Sequence, residues 1–240
     1  MPASDSTPVD DRDRREVERI RALYEDHYRQ DKFKRLWAGP ILAEIHRSKW
    51  EPLRSLLGNR IPLPPGATVV DLGAGAGRDC AEFERFGCDR ARILALDLVA
   101  GDLQAARRRM PWLLAGVGDA SRLPIADGRV DLVFQSTMLS SILDPGRRRR
   151  ICEEAARVLK PGGAFVSCDT RYPNPWNPHT RPLGPGEFRS LFPGWLVGGR
   201  SITLLPPLLR ALLPVSPALC RAAEKVPFLR SHRIAWAIKP

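Results

Sequence analysis

The 240-residue sequence lacks long uncharged stretches. Its longest segment without a charged side chain is the 12 residues from Leu132 to Leu143, whereas a membrane-spanning helix needs about 20 apolar residues. Residues 1–14 contain no apolar run of the kind found in signal peptides. We therefore expect no transmembrane span and a cytoplasmic location.

Closely spaced cysteines are also missing. Disulfide frameworks and structural zinc sites show paired, regularly spaced cysteines, but the five cysteines here are scattered and odd in number. With 43% hydrophobic and 27% charged residues, the composition is that of an ordinary globular domain. The sequence predicts free cysteines, no metal site and one domain with a sizeable core. The cysteines are Cys80, Cys88, Cys152, Cys168 and Cys220.

Acidic residues are scarce in the C-terminal part of the chain. Residues 143–240 contain 16 Lys and Arg against 6 Asp and Glu, whereas residues 61–142 contain 9 against 10. A basic surface can attract nucleic acid, anionic lipid or a phosphorylated substrate, and charge alone does not decide among them. We expect the run Arg147–Arg150 to lie on the solvated face of a helix.

Hydrophobic periodicity predicts helices first and then an alternation of strands and helices. Apolar residues spaced three and four apart predict helices from about Arg14 to Trp37 and from Ile41 to Leu57. Between Thr68 and Asp169, short apolar runs separated by helical segments predict right-handed crossovers and a parallel sheet. Predicted strands are Thr68–Leu72, Arg92–Leu98, Trp112–Val117, Val130–Ser136, Ala164–Asp169, Arg200–Leu204 and Arg233–Lys239. Between the last two strands we expect two short helices broken at Pro214 and Pro217.

A glycine-rich loop, VVDLGAGAGRD over Val69–Asp79, gives the most specific signal. Gly73, Gly75 and Gly77 alternate between a predicted strand and a predicted helix, which lets the backbone approach a ligand more closely than any Cβ would allow. The dinucleotide pattern GxGxxG fails because residue 78 is arginine. A P-loop is excluded because no Gly-Lys-Ser/Thr follows. Asp71 before the glycines suits a cationic ligand better than a pyrophosphate.

Three further motifs follow this loop in order. Asp97 closes an apolar strand 20 residues after Gly77, and Gly118-Asp119-Ala120 follows the next predicted strand. VDLVFQS then leads to ARVLKPGGAFVS, which ends at Ser167. With these four motifs the chain resembles the class I S-adenosylmethionine-dependent methyltransferases of the small-molecule type.

The resemblance implies an α/β fold: a Rossmann-like, doubly wound, seven-stranded and mostly parallel sheet with helices on both faces and an antiparallel last strand. It implies S-adenosylmethionine as cofactor, with the glycine loop on its methionine moiety, Asp97 accepting both ribose hydroxyls and Asp119 near the adenine amino group. An aromatic residue of the N-terminal helix, Tyr28 or Tyr24, would contact the methionine carboxylate. The implied cofactor-binding set is Asp71, Gly73, Ala74, Gly75, Gly77, Asp97, Leu98, Asp119, Ala120, Gln135 and Tyr28.

Each acidic residue of this set also has a purely structural interpretation. Asp71 and Asp97 could stabilise turns, and Asp119 could cap a helix. For the domain organisation we expect a disordered tail over residues 1–13, a helical lid over residues 14–60 and the methyltransferase domain over residues 61–240. Residues 205–230 would form a helical insert in that domain.

The acceptor side is less defined. QSTMLSS after the fourth strand has no histidine near Ser140 and Ser141 and does not match the Asn/Asp-Pro-Pro-Tyr/Phe element of DNA-amino methyltransferases. The loop after the fifth strand contains His179, a candidate base, and Asp169, which would orient it or act instead. The candidate acceptor-binding residues there are Arg171, Tyr172 and Trp176. The alternative is a surface loop with a solvated His179 and a packed Trp176.

The sequence therefore predicts methyl transfer to a small or medium-sized polar acceptor, with O-methylation of a sugar or another polyhydroxylated metabolite preferred. N- or C-methylation of another natural product or lipid-linked substrate, RNA methylation, and cofactor binding without catalysis remain alternatives. Nucleic acid is not the favoured partner. Peripheral membrane contact through residues 205–230 stays open, as does the choice between monomer and homodimer.

Overall fold

The computed structural model describes residues 11–29, 39–174 and 177–240. Its centre is one seven-stranded sheet in the order β3-β2-β1-β4-β5-β7-β6. Strands β1 to β5 pair in parallel, and β7 is antiparallel to both β5 and β6. The predicted fold class is confirmed. The strands are β1 Val69–Leu72, β2 Ile93–Asp97, β3 Leu114–Val117, β4 Val130–Ser136, β5 Leu159–Thr170, β6 Leu196–Leu204 and β7 Arg230–Ile238.

Helices cover both faces of the sheet. They are α1 Asp11–Arg29, α2 Gly39–Asn59, α3 Arg78–Arg85, α4 Ala100–Arg109, α5 Pro145–Val158, α6 Pro185–Leu191, α7 Pro206–Leu212 and α8 Pro217–Glu224. One face, here called the α2 face, packs against α2, α3 and α4. The other, the α1 face, packs against α1, α5 and α6. None of these described helices is long and apolar enough to cross a membrane.

Aromatic packing fixes the helices on each face. On the α2 face the rings of Trp50 and Phe83 are 5.1 Å apart, and Phe83 is 5.2 Å from Phe134 on β4. On the α1 face Phe165 of β5 lies 5.0 Å from Phe192. Burying a side chain of this size contributes about 1.5–3 kcal/mol. Since β1, β4 and β5 are covered on both faces, their apolar runs are nearly continuous.

Several element bounds differ from the sequence prediction. Strand β5 begins at Leu159 because the Lys160–Gly163 turn pairs with the end of the chain, where the Lys239 amide donates to the Gly163 carbonyl at 2.9 Å. Helix α1 begins at Asp11, inside the segment expected to be a tail. Asp11 and Asp13 lie in its first turn, where carboxylates stabilise the positive end of a helix. The predicted continuation of this helix towards Trp37 lies outside the described residues.

The prediction of a solvated arginine face is wrong for half of the run Arg147–Arg150. Arg147 and Arg148 are 1% and 0% exposed, whereas Arg149 and Arg150 are exposed. Arg147 pairs with Asp13 and Asp119 at 2.7 and 2.6 Å. Arg148 pairs with Glu187 at 3.0 Å and donates to the carbonyls of Ile142 and Arg181 at 2.7 and 2.6 Å. These partners compensate the cost of burying each charge.

Candidate cofactor and acceptor site

The glycine loop connects β1 to α3 at the carboxyl edge of the sheet. Gly73, Gly75 and Gly77 all have positive φ, of 67°, 51° and 70°. A Cβ on Gly73 would lie 2.8 Å from Met138 Cγ, and one on Gly77 would lie 2.8 Å from Met110 Cε. The Gly73 amide donates to the Leu96 carbonyl at 2.8 Å, which holds the loop against the end of β2. Conformation and space both require glycine at residues 73 and 77.

Asp97 ends β2 beside this loop. Its Oδ2 accepts a hydrogen bond from the Gly75 amide at 2.8 Å, and its Oδ1 accepts one from the Val99 amide at 2.9 Å. Burial raises the pKa of Asp97, although these two amides and that of Leu98 lower it. The carboxyl group is therefore fixed in place, with lone pairs remaining for hydroxyl donors.

A cleft of about 190 Å³ lies between these strand ends and α1. Leu98, Gly118 and Ala120 line one end, and Ser136, Met138 and Ser141 line the other. Ile20 and Tyr24 of α1 contribute to the wall. Of the sequence-predicted cofactor residues, the structure places five on this cleft: Gly73, Gly75, Asp97, Leu98 and Ala120.

The remaining predicted cofactor residues make other contacts. Ala74 packs against the core of the α2 face, and Gly77 precedes the first turn of α3. Asp119 Oδ1 accepts hydrogen bonds from the Ser121 amide at 2.8 Å and from Arg147 Nη2 at 2.6 Å. Burial alone would raise the pKa of Asp119, but the bonds from Arg147 and Ser121 hold it below its ordinary value. Only the backbone of Tyr28 lies within the described part of the chain.

Gln135 and Asp169 are buried together on the α1 face. Gln135 Nε2 donates to Asp169 Oδ2 at 3.1 Å, and its Oε1 accepts from the Met138 amide at 2.9 Å. Asp169 also accepts from the Ser140 and Thr170 amides, at 3.1 and 2.9 Å. Burial raises the pKa of Asp169, while its hydrogen bonds act in the opposite direction. This pair holds the turn after β4, which forms one end of the cleft.

The other predicted acceptor residues are directed elsewhere. Tyr172 Oη donates to the Phe228 carbonyl at 3.0 Å, and Arg171 Nη1 donates to the Pro227 carbonyl at 2.5 Å. His179 is exposed, and its backbone amide donates to Asn177 Oδ1 at 3.0 Å. Within the described residues, these three are not on the cleft. Trp176 lies outside the described residues.

A buried ionic cluster under the glycine loop was not predicted from the sequence. Lys49 Nζ of α2 lies 2.6 and 2.9 Å from the two carboxylate oxygens of Asp79, which also accepts from Trp50 Nε1 at 2.8 Å. Asp71 accepts a hydrogen bond from the Cys80 thiol at 3.4 Å. Burial, and then the nearby charge of Asp79, raises the pKa of Asp71 well above its ordinary value. Asp71 is thus part of this cluster and is absent from the described lining of the cleft.

Helix α1 is attached to the turn after β4. Tyr24 Oη and Ser141 Oγ are 2.6 Å apart, and Arg19 Nη2 donates to the Ser141 carbonyl at 2.7 Å. Glu16 accepts from the Leu143 amide at 2.6 Å and from Arg19 at 2.8 Å. Sequence reasoning identified the apolar stripe of α1 but missed Glu16, Arg19 and Ser141, whose partners are more than a hundred residues apart in sequence.

Comparisons with known proteins point to one family. A family model described as a methyltransferase domain matches residues 70–167. A demethylmenaquinone methyltransferase of Streptomyces avermitilis is 29% identical over 73% of this chain and 64% of its own length. A dimethylglycine N-methyltransferase of Parasynechococcus marenigrum is 32% identical over 62% of this chain and 58% of its own length. The chain thus spans less than two thirds of these curated relatives.

Solved structures agree on the fold. A Haloferax volcanii methyltransferase, solved in complex with a methyltransferase activator, is 26% identical with a TM-score of 0.61, over 85% of this chain and 96% of that chain. A geranyl diphosphate C-methyltransferase from Streptomyces coelicolor is 19% identical with a TM-score of 0.60, over 82% of each chain. That second protein was solved with geranyl diphosphate and S-adenosyl-L-homocysteine.

Proposed function

Since the chain belongs to the class I S-adenosylmethionine-dependent methyltransferases, we propose that it transfers the methyl group of S-adenosylmethionine to a small hydroxylated acceptor. The sulfonium of the cofactor supplies an activated methyl group. The chain's own task is to hold the two reactants in line and to exclude water. The observation that carries the proposal is the pairing of the glycine-loop backbone with the fixed carboxyl group of Asp97 in one cleft.

The residues of the cleft fit the cofactor. The glycine-loop backbone at Gly73 and Gly75 lines the cleft where the methionine moiety would lie, while Asp97 has lone pairs for ribose hydroxyls. Leu98 and Ala120 would flank the adenine ring at the apolar end. Asp119 is already bonded to Arg147, so the structure gives it a role in attaching α1 and α5 beside the adenine end.

Two classes of acceptor, sugars and reduced naphthoquinones, carry hydroxyl groups and therefore fit this proposal. The sugar acceptor preferred from the sequence depended on the loop after β5, whose Arg171 and Tyr172 bind the Pro227–Leu229 turn. Several relatives are demethylmenaquinone methyltransferases. Demethylmenaquinone is a naphthoquinone whose reduced ring carries hydroxyls, and its methyl group is added to a ring carbon next to them. The apolar Ile20, Met138 and Ile142 on the cleft favour a ring of this kind.

Calorimetric titration with S-adenosylhomocysteine tests the cofactor site. Asp97→Ala removes a carboxylate that would accept two charge-assisted hydrogen bonds, each worth about 1.5–3 kcal/mol. We expect its affinity to fall at least tenfold below that of the wild type. Asp89→Ala is the matched control, because this half-exposed aspartate is absent from the described lining of the cleft. It caps the short helix Arg90–Arg92 and lies 4.0 Å from Arg92. A wild type that does not bind the ligand would contradict the cofactor assignment.

An acceptor screen then tests the reaction. Formation of S-adenosylhomocysteine from S-adenosylmethionine is measured with naphthohydroquinone and with UDP-glucose, and the methylated product is identified by mass spectrometry. We expect turnover with at least one of the two probes. Cofactor binding without turnover of either would favour a binding protein, and salt-dependent RNA methylation would favour the nucleic-acid alternative.

A further inference from the structure

A row of polar side chains lies on the α2 face, at the carboxyl ends of β4 and β5. The row begins beside the cofactor cleft and extends away from it. Ser136 of β4 pairs with Cys168 of β5, and Thr170 pairs with His232 of β7. Successive strand residues point to opposite faces. Ser136, Cys168, Thr170 and His232 therefore share one face, and the packing of Cys168 in the core with Trp50 identifies it as the α2 face.

Lys49 connects this row to the cofactor cleft. Its Nζ lies 3.3 Å from Ser136 Oγ, and Ser136 lines the end of the cleft formed by the turn after β4. Burial, together with the positive charge of Lys49, lowers the pKa of His232 to about 4. At neutral pH the His232 ring is consequently uncharged.

Hydrogen bonds from neighbouring residues select the tautomer of the His232 ring. Ser231 Oγ lies 3.1 Å from the Thr203 carbonyl and 2.8 Å from His232 Nδ1. The hydroxyl has one proton, and we assign it to the bond with the Thr203 carbonyl. His232 Nδ1 must then carry a hydrogen and donate it to Ser231 Oγ. The Nε2 atom is left with a free lone pair, and no described residue donates to it.

Thr203, which holds Ser231, has a strained backbone. Its φ is +61°, a conformation that is unfavourable for a β-branched residue. The Glu224 carboxylate accepts its amide at 3.0 Å, and Ser48 Oγ lies 2.9 Å from its hydroxyl. Strain of this kind persists where surrounding contacts enforce it, and it concentrates at functional sites.

Across the strand pair from His232, Thr170 Oγ1 is buried and has no hydrogen-bond partner within the described structure. Leaving such a group unpaired destabilises the fold, and buried polar atoms without partners are rare enough to need an explanation. Side chains directly opposite in an antiparallel pair are about 5 Å apart at Cβ. One small polar group between them would reach both.

We propose that His232 Nε2 and Thr170 Oγ1 form the binding site for the hydroxyl group of the acceptor, next to the cofactor cleft at Ser136. The hydroxyl proton is donated to Nε2, and Thr170 donates its own proton to the same oxygen. Ser231 fixes the ring, and burial beside Lys49 keeps it neutral. This assignment rests on the proposed function and identifies the recognised group as a hydroxyl on a small molecule.

Nitrogen NMR of isotope-labelled histidine tests the site without requiring turnover. We expect the His232 ring, assigned from its loss in His232→Asn, to be protonated at Nδ1 and bare at Nε2. In protein saturated with S-adenosylhomocysteine, naphthohydroquinone or UDP-glucose should shift the Nε2 resonance. A ring protonated at Nε2, or one that responds to neither probe at millimolar concentration, overturns the proposal.

Calorimetric titration of each variant, saturated with S-adenosylhomocysteine, measures its affinity for the probe that shifts Nε2 in the wild type. His232→Asn keeps a donor towards Ser231 but has no acceptor atom in place of Nε2, and Thr170→Val removes only the unpartnered hydroxyl. Each should weaken acceptor binding at least tenfold while leaving affinity for S-adenosylhomocysteine unchanged. Thr170→Val should fold as well as the wild type, so an unchanged acceptor affinity in it also overturns the proposal.

The matched control is His46→Asn, a histidine on α2 whose Nε2 lies 3.7 Å from Glu82. It should leave both affinities unchanged. If the wild type fails to bind S-adenosylhomocysteine, the proposed function fails. If it binds but the His232 ring is protonated at Nε2, only the acceptor-site proposal fails.

Discussion

At the scale of single residues, Asp71 illustrates how burial changes the role of a carboxyl group. It precedes the glycine loop in sequence but is 1% exposed and lies beside Asp79 and the Cys80 thiol. Its pKa is raised well above the ordinary 3.8 by burial and then by Asp79. The group therefore opposes folding at neutral pH, where the unfolded chain ionises it freely.

Asp71→Asn should consequently stabilise the protein in a pH-dependent manner. When folding raises the pKa of a carboxyl group, the folded protein loses stability as the pH rises from the pKa of that group in the unfolded chain towards its pKa in the folded chain. The carboxamide oxygen of the variant can still accept the Cys80 thiol proton. We expect the gain in free energy of unfolding to be small near pH 4 and to grow towards neutral pH, measured by urea denaturation without cofactor. A gain that is independent of pH would contradict this, and Asp89→Asn serves as the control.

The buried half of the arginine run gives a second prediction at this scale. Arg148→Met leaves the carbonyls of Ile142 and Arg181 without this donor, while Glu187 stays paired with Arg181 at 3.1 Å. Each buried acceptor left unpaired costs about 1–3 kcal/mol. Arg149→Met, on the exposed face of the same helix, should change the free energy of unfolding by less than about 0.5 kcal/mol. Equal effects in urea denaturation would show that Arg148 is not buried in solution.

At the scale of elements, Glu16 is one of the residues that hold helix α1 to the turn after β4, together with Arg19 and Tyr24. Burial alone would raise the pKa of Glu16, but Arg19 and the Leu143 amide hold it below its ordinary value. A carboxylate with a depressed pKa stabilises the folded state above its unfolded pKa, and this contribution is lost as pH falls through the folded pKa. The attachment of α1, our proposed lid, should weaken only in acid.

Glu16→Gln tests this attachment at neutral pH. The neutral amide cannot reproduce the charge-assisted bonds, each worth about 1.5–3 kcal/mol, so α1 should detach more often. We expect faster tryptic cleavage within α1 and weaker binding of S-adenosylhomocysteine, because Ile20 and Tyr24 line the cleft. Glu18→Gln, on the exposed side of the same helix, should change neither. Unchanged cleavage in Glu16→Gln would exclude Glu16 as the attachment point.

Elements and loops were predictable where the signal is local. The alternation of apolar runs and the glycines between residues 73 and 77 determined the sheet, the loop and Asp97, because each depends on neighbours in sequence. The pairs Lys49–Asp79 and Arg147–Asp13 join residues 30 and 134 positions apart. A charged residue in the sequence does not indicate whether a distant partner will bury it, so the arginine run was assigned to the surface.

The same limit applies to the acceptor site. His179, Arg171 and Tyr172 were candidates because they follow β5, where parallel sheets bind ligands. His232 follows no parallel strand. It reaches the same edge because β7 runs antiparallel to β5, which places its third residue, His232, opposite Thr170, the last residue of β5. Only the observed register brings His232 next to Thr170.

At the scale of the whole molecule, the cleft joins parts of the chain that are otherwise separate. Its lining comes from α1, the glycine loop, the ends of β2 and β3, the turn after β4, and α5. Strand β6 lies at the opposite edge of the sheet from β3. A ligand in the cleft should thus stabilise α1 and the edge of the sheet together.

Hydrogen exchange measured by mass spectrometry can test this coupling. A ligand present at about a hundred times its Kd stabilises the folded protein by about 2.7 kcal/mol, and local openings that break the cleft are suppressed in proportion. We expect S-adenosylhomocysteine to slow exchange in α1, in residues 73–77 and in residues 97–99, while exchange in residues 196–200 stays unchanged. In Glu16→Gln, S-adenosylhomocysteine should slow hydrogen exchange in α1 less than it does in the wild type, while it should still slow exchange in residues 73–77. Protection confined to the glycine loop in the wild type would show that α1 does not close over the cofactor.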